Sequence, residues 1–328
     1  MTYKEAELAF ENLFAHNLDD TQMREFLLSM KLDADTSVES IAAAAFVMRN
    51  NAIALPVVEE LRPKLLDVVG TGGDKIGSFN ISSTVSILCA SAGAYVAKHG
   101  SRSVTSKSGS ADMFESLGVR LDLGIEQNAR LLEDTGFCFM FAQNHHPAMK
   151  FIMPVRKTIS EKTIFNVLGP LTNPAGVKKT MLGVFDKSFV PKIAQALRIN
   201  KSTSALVVSS KEGMDEISIS DVSYAARLKD DKIIEFEIDP LEYGIKRVPL
   251  EAIVGGDAKD NAKILHDIFN NTATDAQRDI VLINTASSLM VEGMARDIKD
   301  GLEIANEMLL SGKALAKLNE IIKVSTKL

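Results

Sequence analysis

The chain has 328 residues, with 37 Lys and Arg against 43 Asp and Glu, a net charge of -6 and a hydrophobic fraction of 46%. At about 150 residues per domain this gives two domains, or one large α/β unit with an appendage. The balanced composition excludes disorder and coiled coil, and the acidic balance leaves no diffuse basic field for nucleic acid or an anionic membrane, so any anion needs a local site.

The first fifty residues read as helices. Ala6, Phe10, Leu13 and Phe14 form one stripe at helical spacing, and Val38, Ile41, Ala42, Ala45 and Met48 form another. Pro63 disfavours helical geometry at Arg62, and the apolar run Leu65, Leu66, Val68, Val69 ending at Gly70 predicts a buried strand. The uncharged stretch 76–97 holds five serines, Thr84, Asn80 and two glycines, which excludes a membrane span. Apolar runs at 94–97, 137–142, 180–185 and 205–208 predict further strands. Amphipathic stretches at 112–117, 125–134 and 190–197 predict helices between them. That alternation implies crossovers and a mainly parallel sheet. Residues 224–228 and 233–238, flanking Asp230-Asp231, predict an antiparallel hairpin, and helical periodicity resumes from Asn261 to the end. The expected fold is α/β: a helical segment over 1–63, joined by helices near 155–172, ahead of an α/β body over 64–328.

Cys89 and Cys138 stand singly, without CxxC or zinc spacing, and the N-terminus, with acids every few residues, does not read as a secretory signal. A reducing cytoplasm is the expected location.

Two segments carry chemistry. Asp67-Val-Val-Gly-Thr-Gly-Gly-Asp74 runs from a strand into a glycine-rich loop, and continues through Ser78 and Asn80 to a helical stretch with Ser82 and Ser83. Free backbone N–H groups and a helix N-terminus then converge on one point, which suits an anion. A Rossmann fingerprint would need glycine where Lys75 stands, and a P-loop would need Lys-Ser/Thr after Gly77, where Ser78-Phe79 follows. A glycine turn with no ligand is the alternative reading. The second segment, Lys98-His-Gly-Ser-Arg102 followed by Ser103, Thr105, Ser106, Lys107 and Ser110, reads as a donor-rich loop at a strand end, where α/β proteins place ligands; a solvated basic loop is its alternative.

Eight ordered motifs then resemble the anthranilate phosphoribosyltransferase family. They are Gly-Thr-Gly-Gly-Asp at 70–74, Asn80-Ile-Ser, Lys98-His-Gly, Ser108-Gly-Ser-Ala-Asp112, His146-Pro-Ala-Met-Lys150, Pro154-Val-Arg156, Thr163 through Ala175, and Met214-Asp-Glu216. The resemblance implies a nucleoside-phosphorylase-type fold with a small helical part hinged to an α/β body, usually a homodimer through the helical part. It implies transfer of 5-phosphoribose from phosphoribosyl diphosphate to the amine of anthranilate, with magnesium, on the way to tryptophan. Carried over residue by residue, the substrates fall to Gly70, Gly73, Asp74, Ser78, Asn80, Ser82, Ser83, Lys98, His99, Gly100, Ser101, Ser110, His146 and Arg156. Two magnesium ions fall to Ser82, Asp215 and Glu216. Lys98 supports the leaving diphosphate, Arg156 grips the anthranilate carboxylate, and no general base is assigned because the acceptor is a neutral aromatic amine. A glutamine amidotransferase is a partner the sequence leaves open.

The chain departs from the family pattern at Ser101, where the family has an asparagine that contacts anthranilate. It departs again at Ser160-Glu-Lys162-Thr in place of Gly-x-Arg-Thr, and at Ser83 in place of threonine. The alternatives are a pyrimidine nucleoside phosphorylase and a nucleic-acid-binding relative of the same fold. The Pro-Val-Arg156 motif and the Asp215-Glu216 pair speak against the first, and the net charge of -6 against the second.

Overall fold

The computed structural model describes residues 1–103 and 107–328, so Thr105 and Ser106 of the predicted donor loop lie outside the described residues. Three helices open the chain: α1 (Tyr3–Phe14), α2 (Asp20–Ser29) and α3 (Val38–Asn50). Thr2, Asp19 and Ser37 cap them, each accepting a hydrogen bond from a backbone N–H in the first turn. Only α1 and α3 were legible as stripes; α2 buries just Met23 and Leu27, too few to set a period.

The strands are β1 (Leu65–Gly70), β2 (Tyr95–Gly100), β3 (Phe137–Phe141), β4 (Lys179–Gly183), β5 (Ser204–Ser210), β6 (Ser223–Lys229) and β7 (Lys232–Ile238). They form one sheet in the order β3-β2-β1-β4-β5-β6-β7, parallel from β3 to β5 and antiparallel through β6 and β7. The last two make the predicted hairpin, with Asp230 and Asp231 at φ 51° and 59°, the left-handed pair that a two-residue turn requires. The predicted second strand, 94–97, in fact continues to Gly100. Lys98 and His99 therefore stand inside β2, buried, rather than on a solvated loop. The Lys98 ammonium donates to Val68 O and the His99 backbone N–H to Asp67, both on β1, which offsets the cost of burying them.

Between the strands run α4 (Ile81–Ser91), α5 (Ser110–Ser116), α6 (Ile125–Thr135), α7 (Ala142–His145), α8 (Met149–Arg156), α9 (Phe165–Leu168) and α10 (Val190–Ile199). The chain closes with α11 (Ala258–Phe269), α12 (Asp275–Glu292), α13 (Ile298–Leu310) and α14 (Lys313–Ser325). One face of the sheet packs Leu66, Val68, Val96, Met181 and Leu206 against α4, α5 and the four C-terminal helices. The other face packs Leu182, Val184, Val207 and Ala226 against α10, and that core continues without a break into α1–α3, α8 and α9. The segment after α8 is tied to the opening helices by a bridge between Lys31 and Thr163, and by Arg24, which donates to the Thr158 hydroxyl at 2.6 Å. Cys89 and Cys138 are free and buried, and among the described residues no helix is long and apolar enough to cross a membrane.

Candidate active site

The strand order reverses at β1, whose onward connection leads to β2 on one side while β4 lies on the other. A crevice opens outside the carboxyl ends of strands at such a point. The segment Met214–Glu216 crosses this crevice. Gly70 and Gly183, at the ends of β1 and β4, leave it room. A Cβ on Gly70 would stand 2.2 Å from Asp215 Oδ2, and one on Gly183 1.5 Å from the Asp215 carbonyl oxygen. The glycine loop rises from β1 with Gly72, Gly73, Lys75 and Gly77 all in the left-handed region. Gly72 N–H donates to Asp215 Oδ2 at 2.7 Å, and Ser82 N–H, in the first turn of α4, donates to Glu216 Oε1 at 3.1 Å. The loop and the acidic pair are thus one structure.

The loop is pinned from outside as well. Ser78 bridges to Val254, and the Asn80 amide oxygen accepts from Ser108 Oγ at 3.2 Å and from Asn261 Nδ2 at 2.8 Å. Asp74 accepts from Ile76 N–H, and its charge falls on Asp215. Lys98 reaches under the loop and donates to Val68 O at 2.6 Å and to Ser82 Oγ at 3.3 Å. Burial lowers its affinity for a proton, while the charges of Asp67, Glu216 and Asp215 favour the ammonium. Burial pushes the Asp215 carboxyl up to about 7, with the Asp74 charge adding to it, and pushes Glu216 up even though Lys98 opposes. Two carboxylates held by backbone N–H groups, with Lys98 as the cation that offsets them, form a site short of positive charge.

That donor set fits magnesium. Among the described residues no cluster of three or more acidic, His or Cys side chains forms a ready cage; magnesium keeps several waters and needs only one or two carboxylates beside a substrate's phosphates.

On the β2 side His99 and His146 face each other, ring centroids 5.1 Å apart, both buried with Nε2 unpartnered among the described residues. Burial, helped by its histidine neighbours, holds His99 down to about 3; burial, with His145 behind it, holds His146 down to about 4. Both rings are neutral. Gly100 lies against Ser110, whose hydroxyl a Cβ there would meet at 2.4 Å. Ser101 is exposed, its hydroxyl turned to the carbonyl of Arg102 at 3.1 Å. Ser83 is buried, its hydroxyl without a partner among the described residues. Arg156 ends α8, its guanidinium 5.7 Å from the Phe165 ring centre and 3.9 Å from Met153 Sδ, with no carboxylate beside it among the described residues. Among the described residues no hydrogen bond or ring contact joins it to the two histidines, whereas the glycine loop, Lys98, Asp215 and Glu216 form one hydrogen-bonded network. Two residues that sequence reasoning passed over, Asp67 and Asn173, lie buried behind Lys98. A lone acid within an apolar strand run was the signal for the first.

A glycine-rich loop, a buried lysine and an acidic pair converge on one crevice, an arrangement suited to an anion held beside a divalent cation. Residues 62–315 match the model of the glycosyl transferase family, a/b domain. A curated anthranilate phosphoribosyltransferase of Xanthobacter autotrophicus is 43% identical over 328 residues, 100% of this chain and 94% of that one. One from Methanobrevibacter smithii is 41% identical over 320 residues, 98% of this chain and 94% of its own. Among solved structures, the Thermus thermophilus anthranilate phosphoribosyltransferase superposes with a TM-score of 0.92 at 33% identity, covering 99% of this chain and 96% of that one. The Saccharomyces cerevisiae enzyme, solved in complex with PRPP and Mg, superposes with a TM-score of 0.89 at 27% identity, covering 100% and 94%. The chain belongs to the anthranilate phosphoribosyltransferase family, the glycosyltransferases of tryptophan biosynthesis.

Proposed function

We propose that the crevice divides the family's two substrates between its two sides, phosphoribosyl diphosphate on the glycine loop and anthranilate toward the histidines and Arg156. The observation that carries this is the seating of Asp215 and Glu216 on the glycine loop and the first turn of α4, opposite Lys98. In the family's reaction 5-phosphoribose passes from the diphosphate to the amine of anthranilate. Breaking the ribosyl C1–O bond leaves positive charge on the sugar and negative charge on the departing diphosphate. The gain therefore comes from fixed donors facing the diphosphate. Gly70, Gly73, Asp74, Ser78, Asn80, Ser82 and Ser83 shape that side and the Lys98 ammonium faces it. Ser82, Asp215 and Glu216 hold magnesium, two ions in this reading, which when bound neutralises diphosphate charge.

On the acceptor side the Arg156 fork pairs with the anthranilate carboxylate, and His99, Gly100, Ser101, Ser110 and His146 line the pocket. The two imidazoles stay neutral and so do not compete with Arg156 for the carboxylate. The amine attacks unprotonated and loses its proton afterwards, without an assigned base. The reading includes a division of the chain at residues 63 and 64, with the helices near 155–172 joined to the opening ones and a hinge between the parts. It also includes a homodimer through the helical part and a cytoplasmic location. A glutamine amidotransferase partner stays open, with nothing in the structure to favour it. The test is loss of anthranilate fluorescence on adding phosphoribosyl diphosphate, with and without magnesium: loss that depends on the metal is expected, and none at high enzyme concentration overturns the reading.

A further inference from the structure

The ladder between β1 and β2 stops early. The two strands pair at Leu65 with Tyr95 and Leu66 with Val96, whereas β1 runs beside β4 to Gly70 and β2 beside β3 to Gly100. Side chains take over where this ladder ends. The Ala97 carbonyl accepts from Asn173 Nδ2 at 2.8 Å, the His99 N–H donates to Asp67 Oδ1 at 3.4 Å, and the Val68 carbonyl accepts from Lys98 Nζ. Asn173 Nδ2 also donates to Asp67 Oδ2 at 2.7 Å, while its Oδ1 accepts from Ala175 N–H at 2.9 Å, so every polar atom of that amide is used. Asp67, Ala97 and His99 share one face of the sheet by strand alternation, and Lys98 points to the other, toward Ser82 of α4. Asp67 and Asn173 therefore grip the backbone on both sides of Lys98 from behind.

We propose that Asp67 and Asn173 are positioning residues, a clamp that fixes the backbone of residues 97–99 of β2 and so aims Lys98 at the diphosphate. The inference rests on the assignment of Lys98 to that substrate. It adds a task for two residues that touch neither substrate in that reading. The Asp67 carboxylate, fully buried, also counters the Lys98 ammonium. Without the clamp the backbone on either side of Lys98 loses its anchors and the lysine is free to turn away. A residue that merely filled the core would change the amount of folded enzyme and not its constants.

The test is a double-variant cycle on the full chain, Asp67→Asn and Lys98→Met singly and together, reading kcat, the two KM values, phosphoribosyl diphosphate affinity by calorimetry, and melting temperature. Interactions with a buried charge are worth about tenfold or more. Asp67→Asn alone is expected to cost about that in kcat or donor affinity, with the anthranilate KM moved less. In the Lys98→Met background the same change is expected to cost little more, and its destabilisation should shrink or reverse, because the buried carboxylate there has lost its cation. Equal effects in both backgrounds, or kinetic constants unchanged by Asp67→Asn, overturn the clamp. If Asp67→Asn does not fold, Asn173→Ser, which keeps the carboxylate, takes its place in the cycle under the same criteria. Wild-type rates in Lys98→Met would instead overturn the assignment of Lys98, and the melting cycle alone would then decide the clamp.

Discussion

The two sides of the crevice are built differently. On the glycine-loop side the charged groups have internal partners: Asp215 on Gly72 N–H, Glu216 on Ser82 N–H, Lys98 on Val68 O. On the histidine side, among the described residues, His99 and His146 keep Nε2 buried and unpartnered, and Arg156 has a ring and a sulfur beside it and no carboxylate. Buried polar groups are ordinarily satisfied, so two neighbouring ring nitrogens left open mark a place that a ligand can complete. In the proposed reading the donor side is a preformed cradle, and the acceptor side is finished by what it binds.

The largest expected effect breaks the cradle. Asp215→Asn with Glu216→Gln keeps shape and removes two charges, so turnover should fall by orders of magnitude, on the order of a hundredfold or more, while the melting curve stays close to wild type. Unchanged rates at limiting magnesium would place the ions elsewhere.

Next is the open side. Arg156→Ala should raise the KM for anthranilate by roughly ten- to a hundredfold, the worth of hydrogen bonds to a charged group, with the KM for phosphoribosyl diphosphate nearly unmoved. Equal shifts in both would make it a structural arginine.

The neutral histidines give a pH signature. Their folded values, about 3 and about 4, lie below the ordinary 6.5, so the folded chain binds fewer protons than the unfolded one between those limits. Their contribution is whole above about 6.5 and is lost as pH falls toward 4 and below. Melting temperature should drop over that window, and drop less in His99→Gln with His146→Gln. An equal drop in the double variant would locate the acid sensitivity elsewhere.

The smallest effect sharpens the comparison. The Ser101 hydroxyl is turned to a neighbouring carbonyl, and Ser101→Asn restores a longer side chain with an amide. One added hydrogen bond should tighten anthranilate by about two- to tenfold. Titration that shows no gain would mean the serine is already compensated by a neighbour.

The sequence revealed most of the sheet, because parallel strands buried on both faces read as short apolar runs. Helices with continuous stripes, such as α1, α3 and α6, were equally plain. Residues whose burial depends on partners far along the chain were not. Lys98 looked like loop because a lysine in a strand makes sense only once Val68 O and Ser82 Oγ are in place. Asp67 and Asn173, 106 positions apart, had no local pattern to connect them. The placing of Asp215 and Glu216 came from the family motif, since two adjacent acids by themselves resemble a solvated turn.

The core that runs unbroken from α1–α3 through α8 and α9 to α10 and one face of the sheet has a bearing on protein engineering. Anyone grafting the helical half of one such enzyme onto the body of another would be joining two halves of a single oil drop. The transplant has to bring along the lining of Leu182, Val184, Val207 and Ala226, or a matched set, and not just the helices themselves.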